Sequence, residues 1–271
     1  MPRPVESSVD VARPRDRPVL SAWLLGSMMV TVDGTVVDTS SSRRTRHVLA
    51  YLLLHRRSVI PRDVLMDTFW PDARPAAARN NLHVALAGVR RVLRAAWPGH
   101  ALERRHEGYR LSGELDVWVD VDEFERYRRD GWAADRAGDH AGAMAAYGAA
   151  DRLYGGELLA DDPYADWAEM ARESLRLDLL DAQRRLAELH GAAGDHASAV
   201  LVARRALAID PCNEPLHRQL MRSYRDTGQQ HLALAQFHRC SDRLWHAFRV
   251  RPSAETVELH ERLRSPARRT A

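Results

Sequence analysis

The chain contains no lysine, so all 40 of its basic residues are arginine. A bias that runs through the whole chain reflects codon usage in a GC-rich genome and locates no site. Arginine's planar fork does suit phosphate and guanine edges wherever a site exists. Without lysine no Gly-x-x-x-x-Gly-Lys-Ser/Thr phosphate loop is possible. The 13 histidines form no His-Glu-x-x-His helix, and there is no Gly-x-Ser-x-Gly elbow. Only two cysteines occur, Cys212 and Cys240, and their spacing suits neither a disulfide framework nor a zinc site. Long apolar runs are also missing: the longest, Val48 to Leu54, is far short of the ~20 residues that cross a bilayer. The first 18 residues hold four prolines and no apolar stretch, which reads as a flexible arm and not a signal peptide. These absences leave a cytoplasmic chain with no enzymatic motif, no metal site, no cofactor and no membrane partner.

What is present is ordinary globular composition, 45% hydrophobic and 28% charged, over 271 residues, enough for two domains. The net charge of +3 hides an asymmetry. Residues 1–115 carry 18 arginines against 11 acidic residues, a surplus of seven, and residues 116–271 carry 22 against 26, a deficit of four. That split is expected when the first part binds nucleic acid and the second meets a protein or water.

The basic part has a recognisable order. Strand-like text at Trp23 to Leu25, Met28 to Val32 and Thr35 to Val37, with an Asp33-Gly34 turn, predicts a small antiparallel sheet. Ser40, Ser41 or Ser42 caps a first helix whose opening turn holds Arg43, Arg44 and Arg46. Pro61 opens a second helix that ends near Phe69-Trp70, and 71–75 forms a loop. A third helix, 76–94, places Leu82, Leu86, Val89 and Leu93 on one face. Its polar faces hold Arg79, Asn80, His83, Arg90, Arg91 and Arg94. A hairpin with Arg104 and Arg105 before Gly108 and Arg110 after it follows as a wing. Cations at a helix start oppose the macrodipole, so a phosphate near Arg43 and Arg44 would account for them. Asn80 and His83, near the N-terminus of the third helix, are the candidate base readers, and Arg90, Arg94 and Arg105 the candidate phosphate contacts.

After Leu115 the text becomes helical and repetitive. Gly138-Asp139-His140-Ala141 recurs as Gly194-Asp195-His196-Ala197, and Gly228 stands 34 residues after Gly194, the tetratricopeptide period. Ala143 and Ala150 match Ala199 and Ala206, and Ala233 repeats the pattern, where packed helices must approach closely. The 56 residues from Gly138 to Gly194 exceed one period, so Gly155 to Trp167 is an insertion or an irregular turn. Acidic residues in 116–125 read as a helix start and an interdomain rim. The expected fold is mainly α with a small β component. An arm (1–18) precedes a winged helix-turn-helix domain (19–115), an all-α tetratricopeptide-like domain (116–265) and a tail (266–271).

Phe69-Trp70-Pro71-Asp72, Ala78-Arg79-Asn80-Asn81-Leu82-His83, Val89-Arg90-Arg91-Val92-Leu93 and Gly108-Tyr109-Arg110-Leu111, followed by the helical repeats, resemble the Streptomyces antibiotic regulatory protein (SARP) transcriptional activators over residues 20–264. The resemblance implies an OmpR-like winged helix and a bacterial transcriptional activation domain. Side-by-side protomers would bind direct repeats in double-stranded promoter DNA and self-associate there. They would recruit RNA polymerase, including its sigma factor, with Pro71, Asp72 and Arg74 as candidate contacts, and would regulate antibiotic biosynthesis. It also implies a small member of the family without the ATPase and sensor modules of larger relatives. One departure stands out: where the family usually has a mid-helix arginine this chain has Gly88, which suggests a lost phosphate contact and a helix weakened by ~1 kcal/mol. The alternative reading is a tetratricopeptide adaptor or ligand-binding protein whose winged domain serves interaction alone. A repressor using the same DNA surface is not separated from an activator by sequence.

Overall fold

The computed structural model describes residues 17–40 and 42–264. The arm expected over 1–18 lies outside them except for Arg17 and Pro18, as do the 266–271 tail and Ser41. The chain divides into two compact units: one runs to Val121 and takes in Leu159–Trp167, and the other comprises Asp122–Leu158 and the chain from Ala168 onward.

The first unit opens with β1 (Val19–Trp23), β2 (Met29–Val32) and β3 (Thr35–Val36). β1 and β2 pair antiparallel with Leu20 opposite Val32, and inward-facing Leu20, Ala22, Val30 and Val32 are at most 2% exposed. Asp33 and Gly34 both have positive φ, +48° and +81°, the backbone twist that a two-residue hairpin requires. Three helices follow. α1 (Arg43–Leu54) is capped by the Ser42 hydroxyl, which accepts from the Thr45 amide. β4 (Ile60–Pro61) leads into α2 (Arg62–Phe69), and after an exposed turn α3 (Pro75–Ala96) begins with proline at its first position, where the absent N–H costs nothing. β5 (Leu102–Arg105) and β6 (Gly108–Leu111) form the wing hairpin, and β6 also pairs with β4. The apolar faces of the three helices close the core, with Leu49, Leu53, Leu65, Leu82 and Val89 fully buried.

Two features depart from the sequence expectations. Residues 116–119 are not a helix start but a strand, β7 (Asp116–Val119), which pairs parallel with β1 to give the sheet order β3-β2-β1-β7. Short alternating Val117-Trp118-Val119 favours a strand once β1 offers an edge. Asp120, read as part of a solvated rim, is instead 1% exposed, and its carboxylate accepts the Leu24 and Leu25 amides at 2.8–2.9 Å. Burial raises its pKa against the opposing pull of those amides.

The second departure is the segment 159–167, which belongs to the first unit. Leu159 and Ala160 donate to the Leu24 and Gly26 carbonyls at 2.8 Å. The Trp167 ring meets Tyr51 and Phe69 edge-on at 5.4 and 5.8 Å between centroids. A strap drawn from between two helices of the repeat region thus completes the core of the winged unit.

The second unit contains α4 (Asp120–Arg136, from its third residue), α5 (His140–Leu153), α6 (Glu169–Ala192), α7 (His196–Ile209), α8 (Glu214–Asp226), α9 (Gln230–Phe248) and α10 (Ala254–Arg264). Gly138, Gly194 and Gly228 share φ of +73° to +80°, the left-handed step that ends one helix and lets the next fold back. Asp139 and Asp195 then cap α5 and α7 through the Gly142 and Ser198 amides. The repeated alanines 143, 150, 199, 206 and 233 are each 0% exposed, as close helix packing demands.

Candidate nucleic-acid interface

α3 presents one continuous stripe to solvent. At about 100° per residue, Ala76, Asn80, His83, Val84, Ala87, Arg91 and Arg94 fall within one sector, and all seven are exposed. Leu82, Leu86, Val89 and Leu93, on the opposite side, are at most 1% exposed. Arg79 and half-buried Arg90 flank the stripe. None of the four α3 arginines meets a carboxylate among the described residues. The first turn has no acidic side chain, and Arg74 at its head provides no side-chain cap. Its free N–H groups therefore point outward with the positive end of the helix dipole.

The structure brings the expected base readers, Asn80 and His83, onto this stripe and also places Val84 and Ala87 between them and Arg91. Sequence reading passed over these two because exposed apolar residues carry no charge pattern. Only the helical wheel with the burial beneath it marks them: Val84 is 65% exposed in the middle of a polar face.

Gly88 calls for a correction. It faces α1 and not solvent: a Cβ there would lie 2.3 Å from Thr45 Oγ1. The absence of a side chain lets the two helices approach, so glycine at 88 does not remove a phosphate contact. Ala87 is the neighbouring residue that faces outward.

In the wing, Arg104 and Arg105 are both exposed but differ in what they meet. Arg105 Nε donates to Glu103 Oε2 at 2.9 Å, and Arg110 donates to the same oxygen at 3.0 and 3.2 Å. The Gly113 amide, then Arg105 and Arg110, hold the Glu103 carboxyl down at about 2. Arg104 has no such partner among the described residues.

At the start of α1 the three arginines also separate. Arg43 grips Asp162 of the strap through two bonds, 2.7 and 3.1 Å, and Arg46 pairs with Asp161. A phosphate at Arg43 would have to displace an internal carboxylate, whose pKa Arg43 chiefly depresses, to about 2. His47, 4% exposed, also contacts Asp162, and burial lowers its pKa despite that partner. Arg44 lies over the Trp70 ring at 5.9 Å. Pro71, Asp72 and Arg74 are exposed on the turn between α2 and α3. Among the described residues no group of three or more His, Cys, Asp or Glu side chains is arranged to hold a metal ion, and no helix is long and apolar enough to cross a membrane.

Comparisons with known proteins place the chain in a family. A family described as "Transcriptional regulatory protein, C terminal" matches residues 37–111, and "Bacterial transcriptional activator domain" matches residues 119–264. The chain is 31% identical over 247 residues to the transcriptional regulatory protein EmbR of Mycobacterium tuberculosis, covering 90% of this chain and 63% of EmbR. It is also 31% identical to the regulatory protein DnrI of Streptomyces peucetius, covering 87% of this chain and 89% of DnrI. The structure of M. tuberculosis EmbR in complex with a low affinity phosphopeptide superposes with a TM-score of 0.77 at 28% identity, over 91% of this chain and 65% of that one. With an OmpR-like winged helix followed by a bacterial transcriptional activator domain, the chain belongs to the SARP family of transcriptional regulators.

Proposed function

We propose that this protein is a sequence-specific, double-stranded DNA-binding transcriptional activator without catalytic activity. The observation that carries this reading is the exposed face of α3, where four arginines without carboxylate partners border Asn80, His83, Val84 and Ala87. A helix of this kind fits the major groove, with its N-terminal polar side chains at base edges and its arginines on the flanking phosphates. Asn80 suits adenine, and Arg79, Arg90, Arg91 and Arg94 suit the backbone or guanine. Arg104 at the wing tip reaches the neighbouring backbone, with Arg105 beside it. Arg44 is the freer phosphate contact of α1, and Arg43 joins only on leaving Asp162.

Two protomers side by side on direct repeats would place the exposed turn of Pro71, Asp72 and Arg74 toward RNA polymerase or its sigma factor. Membership of the SARP family supports a role in regulating antibiotic biosynthesis. Footprinting of the purified full chain on DNA upstream of its own gene tests this. A protected pair of direct repeats is expected, and equal affinity for that DNA and random duplex would refute sequence-specific binding.

A further inference from the structure

The second unit holds a cleft of about 640 Å³ bounded by α7, α8 and α9, a size that accommodates a drug-sized ligand. Its walls combine an apolar surface, from Leu207, Pro211 and Leu220, with a concentration of positive charge. Arg239, Arg243 and His246 lie one turn apart along α9 and all face the cleft, and Arg204 closes the other side from α7. Arg204 donates to the Tyr224 hydroxyl at 2.7 Å. Neither Arg239 nor Arg243 has an ion-pair partner among the described residues, and Asp242 is the one carboxylate lining the cleft.

The floor of the cleft is set by hydrogen bonds. His217 is 3% exposed, and its Nε2 donates to the Pro211 carbonyl at 3.0 Å. That leaves Nδ1 as an acceptor, so the amide nitrogen of Gln236 must donate to it, at 2.6 Å. Gln236, which lines the cleft and is itself 4% exposed, is thereby fixed with its carbonyl oxygen free of any partner among the described residues. That oxygen stays open to pair with a ligand hydroxyl or amine.

We propose that this cleft binds a small organic anion: a carboxylate, sulfonate or phosphate ester on an apolar body. The anion would sit against Arg239 and Arg243, the body against Leu207, Pro211 and Leu220, and a donor group at Gln236 Oε1. The site lies wholly within the second unit and is independent of the DNA-binding reading.

The test uses anilinonaphthalene sulfonate and its uncharged counterpart phenylnaphthylamine, two fluorescent probes that share an aromatic body and differ by the anionic group, titrated into the full chain. The sulfonate should bind saturably, at least about tenfold more tightly than the neutral probe. The double variant Arg239→Gln, Arg243→Gln keeps most of each side-chain stem and should abolish that preference, whereas Arg239→Lys, Arg243→Lys should retain most of it. Circular dichroism checks that each variant is folded. Trp245 and Phe248, 50% and 64% exposed nearby on α9, give a competing apolar surface. Equal affinity for the two probes, a preference that survives the glutamine pair, or one lost only in Trp245→Ala overturns the proposal. So does the absence of saturable sulfonate binding.

Discussion

α3 and α6 are the two longest helices, 22 and 24 residues, and each carries four arginines. In α6 all four are matched. Arg172 pairs with Glu169, Arg176 with Glu173, Arg184 with Asp181 and Glu188, and Arg185 with Asp135 and Glu188. In α3 none is matched among the described residues, and the helix itself has no acidic residue. In a chain whose only strong cation is arginine, its presence says little and its pairing says a great deal. The α6 arginines brace their own helix and its neighbour. Those of α3 repel one another, since Arg90, Arg91 and Arg94 lie within little more than one turn, and an external anion relieves that repulsion.

The comparison breaks or holds most clearly on charge removal. Changing Arg79, Arg90, Arg91 and Arg94 to Gln should lower specific DNA affinity on the order of a thousandfold and flatten the salt dependence by roughly 0.9 per lost phosphate contact. The melting temperature should stay level or rise. Changing Arg176 and Arg184 to Gln should leave DNA binding intact and cost stability by ~0.3–0.5 kcal/mol per surface pair. If the α6 variants weaken binding as the α3 variants do, pairing does not separate structural from functional arginine.

A second effect concerns the support of α3. Trp167 packs against Tyr51 and Phe69 from the strap, so Trp167→Ala should destabilise the first unit by about 3 kcal/mol, measured by urea unfolding. Residual DNA binding should keep its salt slope, because the strap holds the platform and not the phosphates. A reduced slope would put the strap in the interface. For the same reason a fragment ending at Leu115 is a poor test of DNA binding, since it lacks both β7 and the strap.

Local features were readable from the sequence. The α3 stripe follows from apolar spacing of three and four residues, and the repeat from glycines that need positive φ followed by capping aspartates. Both signals lie within a few residues of the structure they specify. β7 and the strap were not readable in this way. Val117 to Val119 become a strand because β1 lies beside them, and Asp162 finds Arg43 across more than a hundred residues of chain. No short window holds either fact. Gly88 shows the same limit: propensity reads it as a weak point, whereas its purpose, close approach to Thr45, exists only once α1 and α3 have packed.

Gly88 and Gly191 sharpen the contrast at smaller scale. A Cβ at Gly88 meets Thr45 Oγ1 at 2.3 Å, on a stiff β-branched side chain that is 4% exposed, whereas one at Gly191 in α6 meets the far end of Gln219 at 2.2 Å. Overpacking at the first site should cost about 1–3 kcal/mol, part of it offset by a gain of ~1 kcal/mol in helix propensity. At Gly191 the atom met is the end of a flexible side chain, although Gln219 is buried and bonded to Ser223 Oγ at 3.3 Å, so Gly191→Ala should cost less than Gly88→Ala. Thermal melts of the two variants test this, and equal losses would show that α1 and α3 are no more closely fitted than the repeats.

A modest effect on DNA affinity falls on Val84. An exposed β-branched residue is a modest helix former, and water gives it nothing, so its place between His83 and Ala87 needs another reason. The thymine methyl group is the apolar feature of the major groove, and if the exposed stripe of α3 enters that groove, a valine there is the right size to touch it. Replacing single thymines by uracil in a bound site removes that methyl and leaves every hydrogen-bonding group in place. At one position the full chain should lose about fourfold in affinity, from ~0.8 kcal/mol per buried methyl-sized group, and Val84→Ala should be indifferent to the change there. Leu177, 53% exposed on α6, is the matching control, and Leu177→Ala should keep the full thymine preference. If Val84→Ala still distinguishes thymine from uracil at every position, α3 reads its sequence through Asn80, His83 and the arginines alone, and the apolar gap in its stripe is only a place where the groove wall passes close.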